Sequence, residues 1–331
     1  MLNPLLRLSD KIFDPAILQK PTRDGYGEGL VAAGEADKNV VALSADLTES
    51  TRAEAFAKKF PERFFECGVA EQNMAAIAAG LGVSGKIVFI SSYATFSPGR
   101  NWEQIRTTIS YNDSNVKIAG HHAGISVGPD GATHQAIEDI ATMRVMANMK
   151  VFVPCDTIEA KKATLAAAKI WGPVYLRFGR EKTPLFTTEA TPFVPGKAEI
   201  FWQSPKPQVV IISCGILLYN ALIAARDLEK EDKISTIVLN CHTIKPIDEK
   251  EIIALARKIG AVVTVEEHQV MAGLGGAVAE VLAKHAPTPM EFVGMKDTFA
   301  ESGPPGALIE KYGMGVKDIK AAVKRALRRR K

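Results

Sequence analysis

The segment Gly68-Val69-Ala70-Glu71-Gln72-Asn73-Met74 leads directly into Ala75-Ala76-Ile77-Ala78-Ala79-Gly80-Leu81, a run rich in alanine and glycine. Small side chains let a backbone approach its neighbours closely, so we expect this run to form a helix at a domain centre or a subunit interface. Glu71 would lie in its first turn. It is either an ordinary helix-start residue stabilised by the helix dipole or a buried group bound to a partner, because an isolated buried carboxylate is costly.

Outward from this segment, short β-branched runs alternate with helical patterns, which is typical of parallel sheets covered by helices. Capping boxes at 51–54 and 156–159 predict the starts of two helices, 51–59 and 157–170. Five prolines between residues 181 and 207 interrupt the pattern, and a second alternating series follows. The predicted strands are residues 40–44, 87–90, 116–119, 151–153 and 174–178, then 209–213, 234–239, 261–265 and 290–293.

These patterns predict an α/β fold with two parallel-sheet αβ domains. We expect an N-terminal arm at residues 1–21, a first domain at 22–183, a linker at 184–207 and a second domain at 208–331. A chain of 331 residues is long enough for two domains that each bury their own core. The arm is predicted to pack on a neighbouring subunit, and a frayed terminus is the alternative.

Composition excludes several classes of protein. The chain is 47% apolar and 24% charged, and it has no apolar run of the roughly 20 residues that span a bilayer, so no membrane segment is expected. Its four cysteines are scattered without a Cys-x-x-Cys pair, which favours reduced thiols in a cytoplasmic protein. The net charge of +4 is small and falls mainly in the C-terminal tail, so no nucleic-acid partner is expected.

Ligands of open parallel sheets bind beyond the carboxyl ends of the strands. Tyr93 and Phe96 follow a predicted strand and offer aromatic faces for stacking a flat heterocycle, although a core phenylalanine is the alternative. The positions selected by the strand-end rule are Asp46, 91–96, 120–122, Asp156 and 179–180.

Polar residues are densest at His121-His122 and at Asp130-Gly131-Ala132-Thr133-His134. Histidines in the spacings typical of metal sites do not occur, so a metal site is the weaker interpretation. Histidine and aspartate can hold the hydroxyls of a polyol, and histidine can transfer protons near neutral pH. A sugar phosphate site is therefore the preferred interpretation, with loop-capping side chains as the alternative.

Three arginines fall at the predicted ligand edge or at the start of the first domain: Arg23, Arg177 and Arg180. A guanidinium fork matches two phosphate oxygens, which makes these residues candidates for holding a phosphate group. Surface ion pairs are the alternative.

Together, these segments resemble the carboxyl-terminal half of transketolase, in the form found as a separate subunit. The resemblance is carried by 68–74, by 93–96 and by Asp130-Gly131-x-Thr133-His134, in this order, and it runs from about Arg23 to the last helix. It implies a thiamine diphosphate pyrimidine-binding domain followed by the transketolase C-terminal domain. It also implies transfer of a two-carbon ketol unit from a ketose phosphate to an aldose phosphate.

The resemblance assigns roles to individual residues. Glu71 would hydrogen-bond a ring nitrogen of the cofactor's aminopyrimidine and activate it, and His134 would lie near the reacting carbon. The other expected cofactor-binding residues are Phe96, which would stack on the aminopyrimidine, Tyr93 and Asp46. The expected substrate-binding residues are Asp130 for a hydroxyl, and Arg23, Ser50, His122 and Arg180 for the phosphate.

A Gly-Asp-Gly loop, which in this family precedes an asparagine and holds Mg²⁺ and the diphosphate, is absent from the sequence. The resemblance therefore implies that this chain supplies no metal ligand and binds the aminopyrimidine side of the cofactor. An N-terminal transketolase subunit would hold Mg²⁺ and provide the family's remaining catalytic histidines. Self-dimerisation of this chain is also expected.

Three alternatives remain. A 1-deoxyxylulose-phosphate synthase shares Ala70-Glu71-Gln72 and the Asp-Gly-x-Thr-His element, but it lacks a histidine at the position of His122. The β-subunit of a 2-oxoacid dehydrogenase is similar in size, but it is not expected to carry 130–134. A non-catalytic regulatory subunit with this fold is the alternative outside enzymes.

Overall fold

The computed structural model describes residues 1–330, and its first part is an α/β unit. The strands of this unit are β1 (Gln19–Pro21), β2 (Val40–Ser44), β3 (Phe64–Glu66), β4 (Ile87–Tyr93), β5 (Val116–His121), β6 (Lys150–Phe152), β7 (Val174–Arg177) and β8 (Lys182–Pro184). Its helices are α1 (Thr22–Ala36), α2 (Glu54–Lys59), α3 (Glu71–Val83), α4 (Trp102–Gln104), α5 (Asp139–Arg144) and α6 (Thr157–Lys169). A π-helical turn, Ile105–Ser110, continues α4.

The second part is another α/β unit. Its strands are β9 (Glu199–Gln203), β10 (Val209–Ser213), β11 (Thr236–Asn240), β12 (Thr243–Lys245), β13 (Val262–Gln269) and β14 (Met290–Met295). Its helices are α7 (Leu218–Asp227), α8 (Glu249–Ile259), α9 (Leu274–His285), α10 (Pro305–Lys311) and α11 (Val316–Arg329). Among the described residues, no helix has the length and apolar character needed to cross a membrane.

Each unit is built on a mostly parallel sheet. The first sheet has the order β12-β6-β7-β5-β4-β2-β3, and only β12 runs antiparallel to its neighbour. The second has the order β14-β13-β10-β11-β9, with β9 antiparallel. The predicted fold class, two parallel-sheet α/β domains, is confirmed. Because β12 comes from the second half of the chain, the first sheet is completed by residues outside its own sequence segment.

The predicted helix starts had mixed outcomes. Asp156 caps α6 as predicted, because its side chain accepts a hydrogen bond from the backbone N–H of Glu159 at 2.9 Å. The cap predicted at Thr51 is wrong. Its hydroxyl donates instead to the carbonyl of Leu47 at 2.9 Å, Arg52 takes a left-handed backbone conformation, and α2 begins only at Glu54.

Two segments outside the predicted domains are more ordered than expected. The stretch predicted as a linker contains β9, whose Phe201 and Trp202 are buried, so its apolar residues join the second sheet despite the flanking prolines. The N-terminal arm packs on its own chain: the N–H of Asn3 donates to the carbonyl of Phe201 at 3.0 Å, and Leu6 is buried. No neighbouring subunit is required to cover that side chain.

Helix α1 lies close against α6, and this packing places its first residues at the ligand edge of the sheet. A side chain at Gly25 would meet the carbonyl oxygen of Thr157 at 1.9 Å, so only glycine permits the approach. The hydroxyl of Thr22 accepts a hydrogen bond from the N–H of Gly179 at 2.8 Å. Arg23, the next residue, is thereby fixed beside the loop that follows β7.

Arg177 forms a buried ion pair within the first unit and a hydrogen bond to the second unit. The guanidinium of Arg177, at the end of β7, donates to both carboxylate oxygens of Asp139, at 2.7 and 3.2 Å. It also donates to the backbone carbonyl of Glu267 in β13, at 2.9 Å. Arg177 was a phosphate candidate from the sequence. That interpretation is wrong, because all of these contacts are internal and the side chain is buried.

Candidate active site

The carboxyl ends of β2, β4, β5 and β7 meet at one edge of the first sheet, and the predicted site residues lie there. Asp46 and Ser50 follow β2, Phe96 follows β4, and His122 follows β5. Asp46, Arg52 and His122 have positive φ angles of 59°, 67° and 55°. Left-handed backbone at non-glycine residues is sparsely populated and is often found at functional sites.

Glu71 is the first residue of α3 and its side chain is only 2% exposed. One carboxylate oxygen accepts a hydrogen bond from Nη1 of Arg100 at 2.8 Å. The backbone carbonyl of Glu71 accepts from Nδ2 of Asn101 at 3.0 Å. The carboxylate is therefore buried and held by a single arginine, which sequence reasoning did not assign to it.

Four rings, which we call the aromatic group, lie together: Tyr93, Phe96, His122 and His134. Arg100 connects Glu71 to this group, because its guanidinium carbon lies 4.9 Å from the centre of the Phe96 ring. Tyr93 and Phe96 stack with centroids 6.0 Å apart and planes 17° apart. Tyr93 also lies 3.9 Å from the His122 ring, and His134 packs edge-on to Phe96 at 5.4 Å. The Thr133 hydroxyl contacts Nδ1 of His134 at 2.8 Å. Residues from three separate loops thus form one surface.

Arg23 links this surface to the loop after β2. Its Nη1 donates to the carbonyl of Ser50 at 2.9 Å and lies 3.2 Å from Nε2 of His122. The Tyr93 hydroxyl donates to the Ser50 hydroxyl at 3.1 Å. The guanidinium of Arg180 donates to the carbonyl of Val127 at 2.8 Å and lies 3.6 Å from the carboxylate of Asp130. We call Arg23, Ser50, His122 and Arg180 the anion pocket.

The anion pocket is electropositive. Burial lowers the pKa of Arg23, and repulsion from Arg52 and Arg180 lowers it further. Burial, followed by repulsion from Arg23 and Arg180, lowers the pKa of His122 to about 3. Cations that repel one another in this way attract a ligand with a compensating negative charge.

His122 is consequently neutral near pH 7. Arg23 can only donate, so Nε2 of His122 must be the acceptor and Nδ1 must carry the proton. Within residues 1–330, Nδ1 of His122 and Nε of Arg23 are buried without a hydrogen-bond partner. Unpaired buried donors are rare in folded proteins, and an anionic ligand is one group that accepts from them.

Asp46 stands apart from the aromatic group. Its backbone N–H donates to Glu66 at 2.6 Å, and the same Glu66 oxygen accepts from the N–H of Gly68 at 3.1 Å. The other oxygen of Glu66 accepts from the Thr48 hydroxyl at 2.6 Å. Glu66 therefore ties the loop of Asp46 to the turn that precedes Glu71. Sequence reasoning predicted neither the strand that Glu66 ends nor these contacts, since the partners of Glu66 are mainly backbone groups.

Glu267 supports the loop that follows His122. It accepts a hydrogen bond from the N–H of Ser126 at 2.6 Å, and a side chain at Gly124 would meet its carboxyl carbon at 2.3 Å. Burial raises the pKa of Glu267 to about 7, although Arg177 and the Ser126 hydrogen bond oppose that rise and Asp139 adds to it. The carboxyl group of Glu267 is thus half protonated near neutral pH.

We expect the stability of the protein to fall relative to a Glu267→Gln variant as pH rises from about 4.5 to 7, and to stay level above that. Between these values the unfolded chain has lost the proton of Glu267 while the folded state still holds it, so each rise in pH favours the unfolded chain. The expected change is roughly 1–3 kcal/mol in unfolding free energy. Urea unfolding of both proteins across this pH range measures it, and a constant difference would contradict the prediction.

The site contains no evident metal centre of its own. Among residues 1–330, no group of three or more histidine, cysteine, aspartate or glutamate side chains is arranged to hold a metal ion. The histidines at the site pack against aromatic rings and arginines instead.

Comparison with known proteins identifies the family to which the chain belongs. Residues 19–184 match the transketolase pyrimidine-binding domain, and residues 196–319 match the transketolase C-terminal domain. The chain belongs to the transketolase family. The two α/β units described above are thus the pyrimidine-binding and C-terminal domains of a transketolase.

Two relatives match nearly their whole length. A Methanocaldococcus jannaschii protein, whose name assigns it to the C-terminal section of transketolase, is 45% identical over 91% of this chain and 94% of its own. A Clostridium protein named as a 6-deoxy-6-sulfo-D-fructose transketolase subunit is 37% identical over 90% of this chain and 91% of its own. By contrast, this transketolase chain spans about half the length of the mouse and human transketolases that it matches.

A solved structure of a split-gene transketolase is also similar to this chain. The chain superimposes on a split-gene transketolase, described as an inactive β4 tetramer, with a TM-score of 0.85 and 45% identity. The match covers 94% of this chain and 99% of that one.

Proposed function

We propose that this chain is the C-terminal subunit of a split transketolase. With an N-terminal subunit, it would transfer a two-carbon ketol unit from a ketose phosphate to an aldose phosphate. The full-length matches to a C-terminal section and to a split-gene transketolase support the division into subunits. The observation that carries the activity is the buried carboxylate of Glu71, which Arg100 connects to the aromatic group at the same sheet edge as the anion pocket.

The residues present fit the aminopyrimidine half of thiamine diphosphate. When bound, the cofactor supplies the nucleophilic carbon that cleaves and re-forms the carbon–carbon bond next to the ketose carbonyl. Glu71 would hydrogen-bond a ring nitrogen and control its protonation, and Phe96 would present its face to the ring, with Tyr93 stacked on Phe96. Asp46 would lie at the edge of the cofactor site. Water would be excluded by the burial that already covers Glu71.

The substrate's anionic end would bind in the anion pocket. Arg23 and Arg180 would donate charge-assisted hydrogen bonds, and neutral His122 would donate from Nδ1. Ser50 would add its hydroxyl. Asp130 would accept from a substrate hydroxyl, and His134, which borders Phe96, would exchange a proton near the reacting carbon.

A partner subunit would hold Mg²⁺ and the diphosphate, because this sequence lacks the Gly-Asp-Gly loop. Self-association is supported by four exposed apolar side chains on α3 or in the segment just before it. These side chains are Phe65, Val69, Ile77 and Val83. Helix α3 carries Glu71 at its start, so an interface there would bring a second chain to the cofactor site.

The test is to purify this chain and an N-terminal transketolase subunit from the same organism, separately and together, and to assay ketol transfer with thiamine diphosphate and Mg²⁺. We expect turnover with a ketose phosphate donor and an aldose phosphate acceptor only when both subunits are present. Use of pyruvate with release of carbon dioxide would favour the synthase alternative. Full activity of the N-terminal subunit without this chain would overturn the proposal in favour of a regulatory role.

A further inference from the structure

Arg100 lies where the cofactor ring is expected. Its Nη1 donates to the buried carboxylate of Glu71 at 2.8 Å, and its guanidinium carbon lies 4.9 Å from the centre of the Phe96 ring. Glu71 is its one side-chain hydrogen-bond acceptor within residues 1–330. The guanidinium is therefore held by one carboxylate and one aromatic face.

Those two contacts are the same two that the aminopyrimidine would make. The guanidinium and the aminopyrimidine are both planar, both carry N–H groups that can bond a carboxylate, and both can stack on an aromatic face. An aminopyrimidine that takes the same Glu71 oxygen and the same face of Phe96 would compete with the Arg100 guanidinium for both contacts.

The local structure permits the side chain to leave while the backbone stays in place. The N–H of Arg100 donates to the carbonyl of Phe96 at 2.9 Å, which fixes the turn. A side chain at the preceding Gly99 would meet the carbonyl oxygen of Thr95 at 2.0 Å, so the turn is also closely packed. The Arg100 side chain itself is 48% exposed and has open space to rotate into solvent.

We propose that Arg100 is a place-holder for the aminopyrimidine: it neutralises Glu71 in the cofactor-free subunit and is displaced when thiamine diphosphate binds. This inference rests on the proposed function. Arg100 compensates a buried carboxylate that would otherwise be unpaired. Cofactor binding must break that ion pair, so part of the binding free energy is spent on displacing the arginine.

The experiment compares thiamine diphosphate binding by the two-subunit complex carrying wild-type chain, Arg100→Ala or Arg106→Ala. Arg106 is an exposed arginine on the turn that continues α4, and it serves as the matched control. Equilibrium dialysis with Mg²⁺ present gives the dissociation constant, and thermal unfolding of each complex with and without cofactor gives an independent readout.

We expect Arg100→Ala to bind the cofactor about three- to tenfold more tightly, as loss of a half-exposed ion pair implies. Its unliganded complex should melt at a lower temperature, and the cofactor should raise its melting temperature by more than in wild type. Arg106→Ala should match wild type in both measurements.

The outcomes separate the two proposals. If wild type binds the cofactor but Arg100→Ala binds it equally or more weakly, the place-holder role is overturned and the proposed function stands. If the wild-type complex binds no thiamine diphosphate, the proposed function fails and the place-holder role fails with it.

Discussion

Replacing Glu71 with glutamine is expected to lower kcat for ketol transfer by about 10³-fold, because glutamine cannot exchange a proton with the aminopyrimidine. The substitution keeps the size of the side chain and leaves an oxygen that can still accept from Arg100. The loss should therefore fall on turnover and not on folding. Steady-state kinetics of the two-subunit enzyme, with saturating thiamine diphosphate and Mg²⁺, measure it.

A matched control for this variant is Glu103→Gln. Glu103 is an exposed glutamate on α4, the helix that follows the one carrying Glu71. The control variant should keep wild-type kcat. Both variants should assemble with the N-terminal subunit and melt within a few degrees of wild type. If Glu71→Gln retained wild-type turnover, the cofactor-activating role of Glu71 would be excluded, and a regulatory role for the whole chain would become the better explanation.

The sequence could predict the sheets because their signal is local. Residues 40–44 and 209–213 are short runs that begin with paired valines after Asn39 and Gln208, and both form strands with the predicted bounds. Glu71 was placed at a helix start from the alanine-rich run that follows it, and it is there. The location of the site follows from the same information, since carboxyl ends of parallel strands share one edge.

Contacts that depend on the assembled fold could not be predicted. Arg177 and Arg180 are three residues apart, yet only the first is buried against the second domain, and no local pattern reveals that domain's position. Arg100 pairs with Glu71 from 29 positions away, through a turn whose geometry the sequence does not specify. Glu66 accepts hydrogen bonds mainly from backbone N–H groups. Because every residue except proline carries such a group, the sequence does not reveal these partners.

Removing both arginines of the anion pocket, in an Arg23→Ala/Arg180→Ala variant, is expected to lower kcat/KM for a phosphorylated ketose by about 10²- to 10³-fold. Each charge-assisted hydrogen bond contributes roughly 1.5–3 kcal/mol, and about 1.4 kcal/mol corresponds to a factor of ten. The same variant should use an unphosphorylated ketose with nearly unchanged kcat/KM, because that substrate makes neither contact. Competition assays with the two donors measure the ratio directly.

The single variants distinguish recognition from structural damage. Arg23 also contacts Ser50 and His122, so an equal fall in kcat/KM for both donors in Arg23→Ala would report damage to the loop after β2 and not loss of phosphate recognition. Arg180 donates one hydrogen bond, to the Val127 carbonyl, and forms an ion pair with Asp130, so Arg180→Ala should affect mainly the phosphorylated donor. An equal fall for both donors in Arg180→Ala would show that the pocket does not recognise the anionic group, and His122 with its neighbours would then need another ligand to explain their unpaired donors.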